Sequence, residues 1–156
     1  MESTPSSLIV RPLTQEDRGQ WEPLWQGYLT FYDTTLPDTQ TELTWQRFHD
    51  PLVPLHAHGA CRGDELLGIV HFLYHASAWT TGPYCYLQDL FTAPAARGQG
   101  VGRALIESVY AAAQAAGADR VHWLTQHDNV SARALYDQLA TASGFVQYRK
   151  RFPSRP

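Results

Sequence analysis

The stretch Arg97-Gly98-Gln99-Gly100-Val101-Gly102-Arg103 combines three glycines at alternating positions with an arginine at each end. Glycine has no Cβ, so the backbone amides of such a stretch can come close to a ligand. An apolar, strand-like run from Tyr84 to Thr92 precedes it, and a strongly helical run from Val101 to Ala116 follows. The first amides of a helix lack intrahelical acceptors and stand at the positive end of its dipole, which favours a bound phosphate. The pattern points to a strand, an anion-binding turn and a helix that together hold a phosphorylated cofactor. Two other nucleotide patterns fit poorly. A Walker loop ends in Gly-Lys-Ser/Thr, whereas Gly102 is followed by Arg103 and Ala104. A dinucleotide fingerprint needs a third glycine where Arg103 stands, and its acid would have to be Asp128.

Positioning such a turn requires a sheet and helices, and the chain is patterned for both. After a polar lead from Ser3 to Ser7, Leu8-Ile9-Val10 form a short strand stopped by Pro12. Thr14 with Asp17 three residues on is a helix-entry signal. Trp21, Leu24, Trp25 and Tyr28 then recur at helical spacing, with Phe31 and Tyr32 following. That aromatic face suits core packing, and Tyr28 and Tyr32 can also offer polar tips to a ligand pocket. A second helix is expected from Thr39 to Phe48, and strands from Leu55 to Arg62 and from Leu66 to His75, joined by a turn at Gly63-Asp64. With Tyr84 to Thr92 they make an antiparallel meander. The helix Val101 to Ala116, stopped by Gly117, and a strand from Val121 to Thr125 imply a right-handed parallel crossover. Asn129 can cap a helix through Leu139, and Gly144 to Phe152 is expected to be a last strand. The class is α/β (α+β): one domain over residues 1–156, with a mixed, mostly antiparallel sheet, one parallel crossover and flanking helices.

The totals narrow the partners. A net charge of -3 and a pI near 6.1 give no general attraction to nucleic acid or to an anionic membrane. No run reaches about 18 apolar residues, and Met1 to Ser7 lack a signal-peptide pattern, so a cytoplasmic protein is expected. Cys61 and Cys85 form neither a disulfide framework nor a zinc spacing and are expected to be reduced thiols. Among the seven histidines, His56 with His58 and His71 with His75 could share strand faces. They lack an acid or cysteine at a recognised ligand spacing, so no metal is expected.

Three linked motifs carry a resemblance. Arg97-x-x-Gly100-x-Gly102 follows Tyr86-Leu87-Gln88-Asp89-Leu90-Phe91-Thr92-Ala93-Pro94 and precedes Asn129-x-x-Ala132-Arg133-x-Leu135-Tyr136, with Gly144-Phe145 closing the pattern. In this combination the chain resembles the GCN5-related N-acetyltransferase (GNAT) superfamily, in an order that agrees over nearly its whole length. The resemblance implies acetyl-CoA as cosubstrate and a primary amine as acceptor. Amides within Gly98, Gln99, Gly100, Val101, Gly102 and Arg103, with Arg97 beside them, would hold the pyrophosphate. Backbone groups of Leu90, Phe91 and Thr92 would pair with the pantetheine arm, and the Leu90 amide would polarise the thioester carbonyl. Asn129 and Tyr136 are seven residues apart, about two helical turns. By the resemblance, Asn129 helps position the pantetheine and Tyr136 protonates the departing thiolate.

The acceptor raises a separate requirement. For a lysine-like amine with a pKa of about 10.4, about one molecule in 2,500 is neutral at pH 7, a deficit of roughly 4.6 kcal/mol. A base, a water chain or a desolvating pocket has to help. Polyamine acetyltransferases of the superfamily carry an acid at the position of Asp89, which makes it the candidate for ammonium binding or proton removal. The residue before it, often glutamate in those enzymes, is Gln88 here, a substrate-binding candidate with Tyr28 and Tyr32. The motifs look most like the branch with fungal histone, polyamine and D-amino-acid acetyltransferases, whose members form oligomers. A homodimer acting on a small amine is therefore expected. The alternative is a catalytically silent module that binds acyl-CoA as a sensor or interaction partner.

Overall fold

The computed structural model describes residues 7–154, so the polar lead from Ser3 onward lies outside the described residues except for Ser7. The chain forms two compact units, one through Leu124 and one from Thr125. The first unit holds β1 (Leu8–Pro12), α1 (Arg18–Phe31), α2 (Asp38–Phe48), β2 (Leu55–Arg62), β3 (Glu65–His75), β4 (Tyr84–Thr92), α3 (Val101–Ala115) and β5 (Arg120–His122). The strands form one sheet in the order β1-β2-β3-β4-β5. The first three pairings are antiparallel and β4 with β5 is parallel, as the crossover through α3 requires.

Strand alternation puts a helix layer on each face. Ile69 packs with Trp21, Trp25, Leu29 and Trp45 from α1 and α2. A Cβ on the neighbouring Gly68 would instead meet Val101 Cγ1 at 2.7 Å and Leu105 Cδ1 at 3.0 Å, so α3 lies on the opposite face, close enough to require glycine there. Val101, Leu105, Ile106, Val109 and Ala113, spaced at helical intervals, are the buried stripe of α3. Trp21 is fully buried, with the rings of Trp45 and Phe48 against it at 4.9 and 5.7 Å. Truncating such a ring costs about 3–5 kcal/mol. The entry to α1 is held by Asp17, whose carboxylate accepts Thr14 N–H at 2.7 Å and both Arg11 terminal nitrogens at 2.7 and 2.9 Å. Chiefly the Arg11 hydrogen bonds bring the Asp17 pKa down to about 2.

One irregularity proves important. Leu73 pairs with Tyr86 and Phe72 with Leu87, but the next pair is His71 with Asp89, so Gln88 is an extra residue on β4. Without this bulge the register would set Gln88 opposite His71. With it, Asp89 takes that place, and the later odd-numbered residues of β4 share the α1 face with Ile69 and His71.

The second unit contains α4 (Val130–Leu139). The expected strand from Gly144 to Phe152 is not formed: residues 141–154 have no strand partner among the described residues and are exposed, Phe145 and Tyr148 at 91% and 93%. Apolar and aromatic residues give a segment strand preference, but a strand exists only where a neighbour supplies N–H and C=O groups to pair with. The last strand of the crossover is also shorter than expected, ending at His122 instead of Thr125. Among the described residues, no helix is long and apolar enough to cross a membrane.

Candidate active site

The turn between β4 and α3 has the backbone shape that its glycines permit. Gly98 and Gly100 have φ of +77° and +81°, and a Cβ on either would meet nothing within 4 Å. Glycine is needed there for its conformation, since side chains rarely adopt that region and no neighbour crowds the position. Gly100 is the N-cap of α3 and has no side chain with which to cap the helix. The amides of the first turn of this fifteen-residue helix suit an anion. The side chains around it are occupied elsewhere. Gln99 accepts a hydrogen bond from Arg62 Nη1 at 2.6 Å and donates to Ala95 O at 3.3 Å, while Val101 is buried and the Arg97 guanidinium lies 5.8 Å from the Phe91 ring centre. Gln99 and Val101 therefore serve the turn through their backbone. This cradle of bare amides fits a pyrophosphate.

β4 supplies the next part. Its pairing with β5 covers only Tyr84, Cys85 and Tyr86, against Arg120, Val121 and His122. Beyond Tyr86, β4 is paired with β3 on one side and with no other strand among the described residues. Leu90, Phe91 and Thr92 lie on this unpaired stretch, which leads directly into the glycine turn. An exposed strand edge of this kind can pair with an extended amide-bearing chain such as pantetheine.

Asp89 stands at the start of that stretch, on the α1 face, with 15% of its side chain exposed. His71 Nδ1 lies 2.9 Å from Asp89 Oδ2, and Trp21 Nε1 donates to His71 Nε2 at 3.1 Å. Tyr28 and Tyr32 lie beside this row with ring centres 5.0 Å apart and planes tilted by 58°. Burial, then the charge of Asp89 and hydrogen bonding to it, push the Tyr28 hydroxyl well above its ordinary pKa. Burial and the same charge raise that of Tyr32. Both phenols stay protonated beside a carboxylate, a combination that can receive a cation. Tyr28 and Tyr32, expected on an aromatic face, are thus brought to Asp89, whereas Gln88 is exposed in the bulge. Sequence reasoning did not assign His71 or Trp21 to the site, having weighed His71 as a metal ligand against an ordinary packed, hydrogen-bonded or solvent-facing histidine. The signal was strand register, and the bulge at Gln88 hides it from simple counting.

In the second unit Asn129 occupies the N-cap position of α4 and Tyr136 follows two turns later, half-buried. The Asn129 side chain does not cap the helix; its amide donates to Thr125 Oγ1 at 3.4 Å. Arg133 is tied to the same loop by a 2.7 Å hydrogen bond from Nη1 to His127 O.

Comparison with known proteins shows the family. Residues 19–140 match the acetyltransferase (GNAT) family. The chain is 35% identical over 147 residues to D-amino-acid N-acetyltransferase HPA3 of Saccharomyces cerevisiae, covering 92% of this chain and 90% of that protein. It is 31% identical over 100 residues to the thialysine N-epsilon-acetyltransferase of Caenorhabditis elegans, covering 61% and 62%. Among solved structures, AAC(6')-Iy in complex with a CoA bisubstrate analogue superposes with a TM-score of 0.78 at 17% identity, over 94% of this chain and 100% of that one. The residues of the glycine turn fit the pyrophosphate of acetyl-CoA, the cosubstrate of this family. The chain belongs to the GNAT acetyltransferase family and is an acetyl-CoA-dependent N-acetyltransferase.

Proposed function

We propose that the chain transfers the acetyl group to the primary amine of a small cationic molecule, polyamine or amino-acid-like, by direct attack. The observation that carries this reading is Asp89: a carboxylate beside protonated tyrosines, on the open edge of β4 and one residue before Leu90. Acetyl-CoA supplies an acetyl group activated as a thioester. The glycine turn and the first turn of α3 bind its pyrophosphate, Leu90 to Thr92 align its pantetheine arm, and the Leu90 N–H stabilises charge developing on the carbonyl oxygen. Asp89 binds the acceptor's ammonium, with Tyr28, Tyr32 and Gln88 around it. The amine proton leaves to solvent past Asp89, after which the C–N bond forms as the C–S bond breaks. Tyr136 gives its hydroxyl proton to the sulfur, the nitrogen releases its second proton to solvent as the amide forms, Tyr136 is reprotonated from solvent, and Asn129 orients the arm. Further parts of the reading are a single functional domain, a homodimer and a cytoplasmic location, with no nucleic-acid or membrane partner. The oligomers of the branch it resembles and the two free thiols at Cys61 and Cys85 support them.

A thiol-release screen with acetyl-CoA against polyamines, amino acids, aminoglycosides and lysine peptides tests the acceptor class. Turnover with a small cationic amine is expected. Replacing Tyr136 by Phe should lower kcat by about 10²-fold, as loss of a general acid does, with acetyl-CoA affinity unchanged. Tight acetyl-CoA binding without thiol release on any amine would instead favour a silent acyl-CoA-binding module.

A further inference from the structure

Trp21, His71 and Asp89 form a row whose hydrogen positions follow from chemistry. An indole nitrogen can only donate, so the 3.1 Å contact from Trp21 Nε1 fills the lone pair on His71 Nε2. The imidazole is then neutral and carries its hydrogen on Nδ1, from which it donates to Asp89 Oδ2 at 2.9 Å. The ring has little room to turn: it is 1% exposed, with Phe48 and Trp25 ring centres at 4.6 and 5.1 Å. Two consequences follow. His71 has no lone pair left with which to take a proton, which excludes it as a general base. Asp89 has one oxygen fixed by the neutral His71 and also takes a hydrogen bond from the protonated Tyr28, so its donors are uncharged, its charge is uncompensated and its remaining lone pairs are available to a ligand.

We propose that His71 is a positioning residue for the acceptor amine: Trp21 fixes its tautomer, and His71 fixes the Asp89 carboxylate so that its remaining lone pairs receive the ammonium. This rests on the reading of Asp89 as the ammonium site. The bulge at Gln88 is part of the device, since it alone brings Asp89 opposite His71. The fixed carboxylate selects for acceptors that arrive as cations, and makes affinity for the amine depend on two residues buried beneath the site.

Two variants separate the contacts. In His71→Asn the side-chain amide takes the place of Nδ1–H and keeps a donor for Asp89. In His71→Gln the longer chain keeps an acceptor for Trp21 and loses the donor to Asp89. A hydrogen bond to a charged group contributes about 1.5–3 kcal/mol, which corresponds to about tenfold or more in affinity. With the best amine of the thiol-release screen, His71→Gln should raise the amine KM about tenfold and His71→Asn at most about threefold, with the acetyl-CoA KM within about twofold in both. Equal effects of the two variants, or an unchanged amine KM in His71→Gln, would overturn the proposal. Should either variant fail to fold, nitrogen NMR of the native protein decides: His71 in the Nδ1–H form supports it, and the Nε2–H form overturns it. Asp89→Asn tests the underlying reading separately. If its amine KM is unchanged, Asp89 is not the ammonium site, whatever tautomer His71 holds; if it rises while His71→Gln has no effect, Asp89 keeps its role and His71 loses the one proposed.

Discussion

The glycine turn and the Trp21–His71–Asp89 row lie at opposite ends of the same short stretch of β4 and carry their polarity in different ways. In the turn, backbone amides are the polar groups, and the nearby side chains are absent, buried or tied to neighbours, as with Gly98, Val101 and Gln99. In the row, side chains from α1, β3 and β4 meet through hydrogen bonds inside an aromatic cluster. A backbone site needs one continuous segment in the right conformation. A side-chain site needs three elements in register, and a single extra residue on one strand decides whether it exists. The turn is accordingly suited to a phosphate group common to many reactions, and the row to the ligand that differs between enzymes.

The contrast can be broken at either end. The largest effect is expected from Asp89→Asn, which should raise the amine KM by about 10–100-fold while leaving acetyl-CoA affinity unchanged, since it removes the charge proposed to meet the ammonium. Steady-state kinetics with each substrate varied in turn will show whether the two ends are independent. Gly100→Val should do the reverse, weakening acetyl-CoA binding about tenfold with little change in amine KM, because a β-branched residue at φ of +81° is forced out of the left-handed region. Titration calorimetry with CoA measures this directly.

Smaller effects sharpen the comparison. The Asp17 carboxylate fixes the entry to α1, the helix that carries Trp21, and its folded pKa of about 2 lies below the ordinary 3.8. Its contribution is complete above that ordinary value and is lost as pH falls from there through about 2. Allowing for the exposed Arg11, the loss is about 1 kcal/mol. Acid titration of thermal stability should show this component in the native protein and not in Asp17→Asn. The smallest change is expected from Gln99→Ala: acetyl-CoA affinity within about twofold, because Gln99 serves the turn through its backbone.

The same division explains what could be read from the sequence. The turn is visible because its function lies in residue type at fixed spacing, and three alternating glycines at the start of an amphipathic helix leave few alternatives. The meander was legible for a similar reason: the strands Leu55–Arg62 and Tyr84–Thr92 are bounded by Pro, Gly and turn residues. His71 was not legible as part of the site, because its partners are 50 and 18 positions away. The bulge that aligns it with Asp89 leaves no mark in composition. The segment after Gly144 failed in another way. Its apolar and aromatic residues suit a strand, and among the described residues no strand pairs with it.

The central claim is chemical: an acetyl group passes from acetyl-CoA to the nitrogen of a small cationic amine. Mass spectrometry of the products formed with acetyl-CoA and a mixture of such amines tests it most directly. The account predicts an N-acetylated amine appearing in equal amount with free CoA, and far less of it with Tyr136→Phe. Free CoA without any acetylated amine, or bound acetyl-CoA that stays intact, would contradict it.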